Sequence, residues 1–194
     1  MTVVRLFSAI ELPEPTRSEL AGRLRELRAG QPELDTGLTW TPPHRWHITL
    51  GFYGDREHAD RRATWFRRQA IGLAAARLRL RGAGRFPGVL WVGVSPVSAQ
   101  DASALRAMAG ALNADANAGV LDFTAHVTVA RWRRGSGGGE RGMLAAGSLA
   151  DFAGAPWTAG EVVLFRSDQG TPEQGRSGPV YTPLDRVTLA SKQG

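Results

Sequence analysis

Two periods run through the hydrophobic pattern of this 194-residue chain, one of two residues and one near 3.6. Thr2 to Ile10, rich in β-branched and aromatic residues and bounded by Pro13, predicts a strand. Leu20, Leu24 and Leu27 fall at helical spacing and predict a helix from Glu14 to about Arg28, ended by Gly30. Residues 31–45, broken by Pro32, Gly37, Pro42 and Pro43, read as a loop into a strand at about 46–53. A helix over about 57–74 follows, with Ala63, Phe66, Ala70 and Leu73 on one stripe. Strands at about 77–84 and 89–94 flank the Pro87-Gly88 turn signal. The order then recurs: a helix at about 99–117, a strand at 123–132, a helix at 140–150, and strands near 161–166 and 179–189. Helix, strand, helix, strand, strand occurs twice, which predicts a pseudo-symmetric α+β protein of two lobes. The first lobe is expected over about 12–95 and the second over about 97–190, within a single domain spanning 1–194.

The middle strand of each half carries the same polar signature. His47-Ile48-Thr49-Leu50 and His126-Val127-Thr128-Val129 both read His-x-Thr-x, in a chain with only four histidines. Strand alternation puts His47 and Thr49 on one face, and His126 and Thr128 on one face, so each half offers an imidazole and a hydroxyl together. Histidine exchanges protons near neutrality, its unperturbed pKa being about 6.5. Two imidazoles on opposite sides of a phosphodiester make a general acid and a general base. The threonine hydroxyls can then donate hydrogen bonds to the non-bridging phosphate oxygens.

Composition narrows the picture further. Hydrophobic content of 42% and charged content of 22% suit a globular chain, and the absence of cysteine removes disulfides and thiolate chemistry. The first residues lack a signal peptide's apolar run and no stretch is long enough to span a bilayer, so a cytoplasmic protein without membrane contact is expected. The net charge of +6 and pI near 11.0 are carried by arginine, Lys192 being the only lysine. An anionic partner such as nucleic acid accounts for this, and so does a coding bias toward arginine.

Other features are weaker. Counting in twos puts Tyr53 and Trp132 on the histidine face, as platforms for a base or as packing residues. The same count puts Arg131 on the opposite face unless the strand is bulged there. Gly135 to Gly139 lacks the lysine and spacing of a phosphate loop and reads as a flexible surface loop. His44 and His47 have a His-x-x-His spacing without an evident carboxylate partner, and His58 reads as exposed at a helix start. No Gly-x-Ser-x-Gly elbow is present.

With both motifs placed, the chain resembles the RNA 2′,3′-cyclic phosphodiesterases, or 2′-5′ RNA ligase family, of the two-histidine phosphoesterase superfamily. The likeness is carried by Arg5-Leu6-Phe7-Ser8-Ala9-Ile10-Glu11-Leu12-Pro13, by Trp40 through Gly54, by Arg85-Phe86-Pro87 with Val89 to Val94, by His126 to Arg131, by Leu164 to Ser167 and by Gly178-Pro179-Val180-Tyr181. Three positions depart from the family pattern: Ala125 stands where proline is usual, Gly51 where a longer and often basic residue is common, and Tyr53 where leucine is more usual.

The resemblance implies a bilobal α+β fold with pseudo-two-fold duplicated antiparallel sheets, flanking helices and a central cleft carrying both His-x-Thr-x strands. It implies hydrolysis of an RNA terminal 2′,3′-cyclic phosphate to a 2′-phosphate, with no cofactor or metal and no obligatory protein partner, by a monomer. His47 would be the proton donor and His126 the proton acceptor, with Thr49 and Thr128 beside them. Substrate contacts would fall to Arg131, Tyr53, Trp132, Phe7 and Tyr181. The two motifs are chemically equivalent, so the sequence by itself does not assign acid and base. A two-histidine enzyme for cyclic nucleotides or 2′-5′-linked oligonucleotides, reversible 2′-5′ ligation, and a non-catalytic RNA-binding protein are the other readings.

Overall fold

The elements fall close to where the hydrophobic pattern predicts them in a computed structural model that describes residues 3–113, 123–133, 135–170 and 178–191. In chain order they are β1 (Val3–Glu11), α1 (Glu14–Gly30), β2 (Thr39–Trp40), β3 (His47–Phe52), β4 (Glu57–His58), α2 (Ala59–Ala70), β5 (Ala76–Phe86), β6 (Val89–Pro96), α3 (Ala99–Leu112), β7 (His126–Arg131), α4 (Gly138–Ser148), β8 (Trp157–Ala159), β9 (Glu161–Gly170) and β10 (Gly178–Thr188). The short strands β2, β4 and β8 were not expected, because two or three residues display no period. Glu57 and His58, expected at a helix start, pair instead with Val4 and Val3 of β1, and His58 is half-buried. The expected extension of α3 over 114–117 lies outside the described residues, as does Lys192.

The expected pair of sheets is one continuous, entirely antiparallel sheet. Its order is β10-β9-β1-β3-β7-β6-β5-β8, with β2 added along β7 and β4 along β1. The halves meet at β3 and β7, and on each side three further strands extend outward. The lobes therefore do not divide at residues 95–97. Late strands β9 and β10 join β1 and β3, while the β5–β6 hairpin, placed with the first lobe by chain order, pairs with the second motif strand. A hairpin carries its own turn, so chain order alone does not decide which motif strand it lies beside.

One face of the sheet is covered by helices. Leu6 and Ile10 of β1, Ile48 of β3, Leu90 and Val92 of β6 and Val127 of β7 join the helical residues Leu20, Leu24, Phe66, Met108 and Leu112 in one buried core. A second, smaller cluster lies on the other face, where Phe7, Ala9, Val163 and Phe165 pack with Tyr181. Strands β1 and β9 are thus apolar on both faces, the reason Val162-Val163-Leu164-Phe165 reads as a continuous apolar run.

Gly51 lets α3 close onto β3. A Cβ there would overlap the Leu112 carbonyl oxygen at the end of α3, which also accepts a 2.7 Å hydrogen bond from the Tyr53 hydroxyl. Its departure from a long basic residue is a packing requirement of this chain. Gly51→Ala is expected to cost at least about 1–3 kcal/mol of stability in urea unfolding, as overpacking against backbone does. Gly147→Ala, in α4 with open space around it, is expected to stabilise by about 0.5–1 kcal/mol.

Candidate active site

Ile48 of β3 pairs with Val127 of β7 in antiparallel register, and both side chains are fully buried in the main core. Alternation sends their neighbours to the opposite face, where His47, Thr49, His126 and Thr128 line one cleft of about 1090 Å³. Carried one residue outward, the register sets His47 across from Thr128 and Thr49 across from His126. The two histidines then lie on a diagonal, a relation that spaces residues of adjacent strands by about 7–8 Å.

Each motif strand contains the same irregularity. On β3, Ala9 pairs with Thr49 and Ser8 with Gly51, so Leu50 is an extra residue. On β7, Trp91 pairs with Thr128 and Leu90 with Ala130, so Val129 is an extra residue. Both bulges put two successive residues toward the core: Leu50 with Gly51, and Val129 with Ala130. Every side chain beyond the bulge is consequently displaced by one face.

That displacement corrects three expectations. Arg131 returns to the histidine face and lines the cleft, which strict alternation denied it. Tyr53 turns inward instead and is only 8% exposed. Its hydroxyl donates to the Leu112 carbonyl, the Ser8 hydroxyl lies 2.7 Å from it, and burial pushes it up to about 12. The Arg62 guanidinium sits 4.4 Å from its ring, so Tyr53 is a packing residue rather than a base platform. Trp132 packs on the first turns of α4, where Cβ atoms at Gly138 or Gly142 would meet it. Gly138 and Gly139 are therefore helical, which starts α4 two residues earlier than predicted, and they make room for the indole. In place of Tyr53, Phe52 lies opposite Phe7 and is 54% exposed.

The two imidazoles are oriented alike. His47 Nδ1 lies 2.7 Å from the Arg45 carbonyl and His126 Nδ1 lies 2.7 Å from the Thr124 carbonyl, each two residues upstream. A carbonyl only accepts, so Nδ1 carries the hydrogen in both rings and Nε2 is the nitrogen that exchanges protons. Aromatic rings hold each one. His47 packs against Phe7 at 4.9 Å and edge-on to Tyr181 at 5.2 Å, and Phe165 stacks behind Phe7. His126 lies edge-on to Phe86 at 5.2 Å and 6.0 Å from Trp91. Gly84 makes this second box possible, since a Cβ there would overlap the Trp91 indole. Phe7 is buried and supports His47 instead of lining the cleft, whereas Tyr181 lines it. Phe86 and Trp91 were not expected as site residues, although the spacing of both on the hairpin beside β7 was visible in the chain.

The cleft walls come from the segment around β2 and from the start of β10. Thr39, Thr41, His44 and Arg45 line it together with Gly178 to Tyr181, and a Cβ at Gly178 would meet the Arg45 guanidinium. The 31–45 stretch, read as a loop, enters the sheet through Thr39 and Trp40 against Arg131 and Ala130. His44 and His47 both line the cleft, but among the described residues no group of three or more His, Asp or Glu side chains gathers to hold a metal ion. No helix among those residues is long and apolar enough to cross a membrane.

This arrangement has counterparts among known proteins. A family pattern described as LigT like phosphoesterase matches residues 10–94, which include the first motif. The chain is 30% identical, over 98% of its length and 93% of the relative's, to a Thermus thermophilus protein named RNA 2′,3′-cyclic phosphodiesterase. The chain belongs to the LigT-like phosphoesterase family. A solved Thermus thermophilus structure superposes with a TM-score of 0.64 at 26% identity, covering 97% of this chain and all of that one. The fold of Escherichia coli LigT, crystallised with ATP, matches with a TM-score of 0.66 at 22% identity, over 97% of this chain and 99% of that one. Family membership extends to the fold and to phosphoesterase chemistry as a class.

Charge in the cleft acts on His47. Burial lowers its proton affinity below the ordinary 6.5, the carbonyl bond from Arg45 raises it, and the positive charges of His126 and Arg131 lower it again. Between that value and 6.5 the unfolded chain binds a proton that folded His47 refuses. Stability associated with His47 is therefore present above pH 6.5 and lost as pH falls below it. An NMR titration of the free protein is expected to show the His47 ring titrating below 6.5, and inorganic phosphate is expected to raise that midpoint by countering Arg131.

Proposed function

We propose that the protein hydrolyses the 2′,3′-cyclic phosphate at an RNA end to a 2′-phosphomonoester by general acid–base catalysis between His47 and His126. The observation that carries this reading is the diagonal of two equally oriented imidazoles across the Ile48–Val127 pair, each with a threonine beside it. His126 Nε2 takes a proton from a water, whose oxygen forms the new bond to phosphorus. The bond from phosphorus to the 3′ oxygen breaks, and His47 Nε2 gives its proton to that oxygen. Thr49 and Thr128 donate hydrogen bonds to the non-bridging oxygens, and the Arg131 fork meets the same charge.

The donor role asks His47 to be protonated, against the burial and positive charge that oppose it. The phosphodiester anion acts in the favourable sense, so the substrate itself restores part of that proton affinity. The name of the Thermus relative supports RNA as the substrate class, and a net charge of +6 suits a polyanion. The distinction from a binding-only protein lies in the imidazoles, since retention of RNA needs no pair of titratable groups.

The test is an oligoribonucleotide ending in a 2′,3′-cyclic phosphate, incubated with the purified protein in EDTA, with 2′- and 3′-phosphate products resolved. The 2′-phosphate is expected, with kcat reduced at least about 10²–10⁴-fold in His47→Ala and in His126→Ala. Thr49→Ala and Thr128→Ala are expected to cost about 10²–10³-fold each, and RNA affinity of the His47→Ala protein to stay within a few-fold. Turnover that appears only when a metal is restored would contradict the mechanism.

A further inference from the structure

The two motifs are equivalent in sequence, but their surroundings are not. Across the sheet from His47, in direct register on β1, stands Glu11. The matching position beside His126, on β6, is Gly93. Paired residues project from the same face of a sheet with Cβ atoms about 4.5–5.5 Å apart. A carboxylate thus flanks His47 on the cleft face, and the equivalent place beside His126 has no side chain.

Glu11 does not stand alone. The register β1–β9 sets Ala9 against Val163, which carries Glu11 to Glu161 two residues on. Arg186 of β10 bridges the pair, its Nη1 being 2.6 Å from Glu11 Oε2 and 2.6 Å from Glu161 Oε1. One guanidinium shared by two carboxylates leaves a net negative charge on this row. It also fixes Glu11 at the edge of the histidine site.

We infer that Glu11, held by Arg186, is the positioning residue that makes His47 rather than His126 the proton donor, through a strand-neighbour carboxylate that one side of the pseudo-symmetric pair has and the other, where Gly93 stands, does not. This rests on the acid–base reading above and supplies the assignment that the equivalent motifs do not. Among the described residues, the other groups facing His47 are His126 and Arg131 from β7, the neutral Tyr181 hydroxyl from β10, and Arg45 upstream on its own segment. The charges of His126 and Arg131 oppose the imidazolium; the Arg45 carbonyl bond favours it, and Glu11 adds a negative charge that favours it as well. Glu11 touches Arg186 and not the reacting atoms, so its influence is electrostatic.

The test uses variants of opposite sign, read by NMR titration of both histidines in the free protein and by the pH profile of kcat. Glu11→Gln removes the negative charge and is expected to lower the His47 midpoint by roughly half a unit to one unit. The alkaline limb of kcat should move down with it, a loss of about three- to ten-fold above that limb, with KM nearly unchanged. Arg186→Met leaves both carboxylates uncompensated and is expected to raise the His47 midpoint. Glu161→Gln leaves Arg186 wholly on Glu11 and is expected to lower it, which provides a second downward variant should Glu11→Gln fail to fold. The His126 midpoint should move less than that of His47 in every case. A His47 midpoint indifferent to all three, or two histidines that shift alike, would reduce Glu11 to a strap between strands and overturn the inference. Correct shifts without turnover of a cyclic phosphate would leave the charge effect standing and overturn the donor role built on the reaction.

Discussion

The antiparallel pairing of Ile48 with Val127 is the constraint on which the site depends. It is the place where the two halves of the sheet join, and it is held by two aliphatic side chains that are fully buried. Burying those two residues requires their neighbours to face the opposite way. The hydrophobic effect on one face of the sheet therefore positions the polar chemistry on the other. A one-residue slip of either strand at this pair would send its histidine into the core and expose its aliphatic residue, so register and function are fixed by the same burial.

The paired bulges extend that control past the motifs. Leu50 and Val129 absorb one residue each, and the face reversal they cause brings Arg131 into the cleft and takes Tyr53 and Trp132 out. It also separates the halves chemically, since the residue after the bulge is Phe52 on one strand and Arg131 on the other. With Glu11 beside one histidine and Gly93 beside the other, a duplicated scaffold carries an asymmetric charge distribution. An acid and a base need different surroundings, and two identical ones would titrate alike.

Much of this was legible in the chain. The strands bearing His47 and His126, the helices that flank them and the β5–β6 hairpin all follow from period and turn chemistry, and their sites follow from the two matching tetrapeptides. The face of Tyr53, Trp132 and Arg131 did not, because a bulge inserts a residue without a local marker and period counting continues through it. Strand order was hidden for a different reason: β9, with β10 beside it, meets β1 by long-range pairing, which carries no signal at short separation. The role of Gly51 was hidden too, since only the approach of the Leu112 carbonyl shows why a side chain is excluded. Nothing in the sequence singled out Glu11; only the β1–β3 register places it across from His47.

The central claim is that the two imidazoles act as a complementary proton donor and acceptor. The most direct test is the pH dependence of kcat/KM on a 2′,3′-cyclic phosphate substrate, measured for the unaltered protein. The account predicts a bell with two limbs near neutrality, one for the group that must be protonated and one for the group that must not be. A rate that rises monotonically through the neutral range would contradict it, because no proton donor would then be lost on the alkaline side.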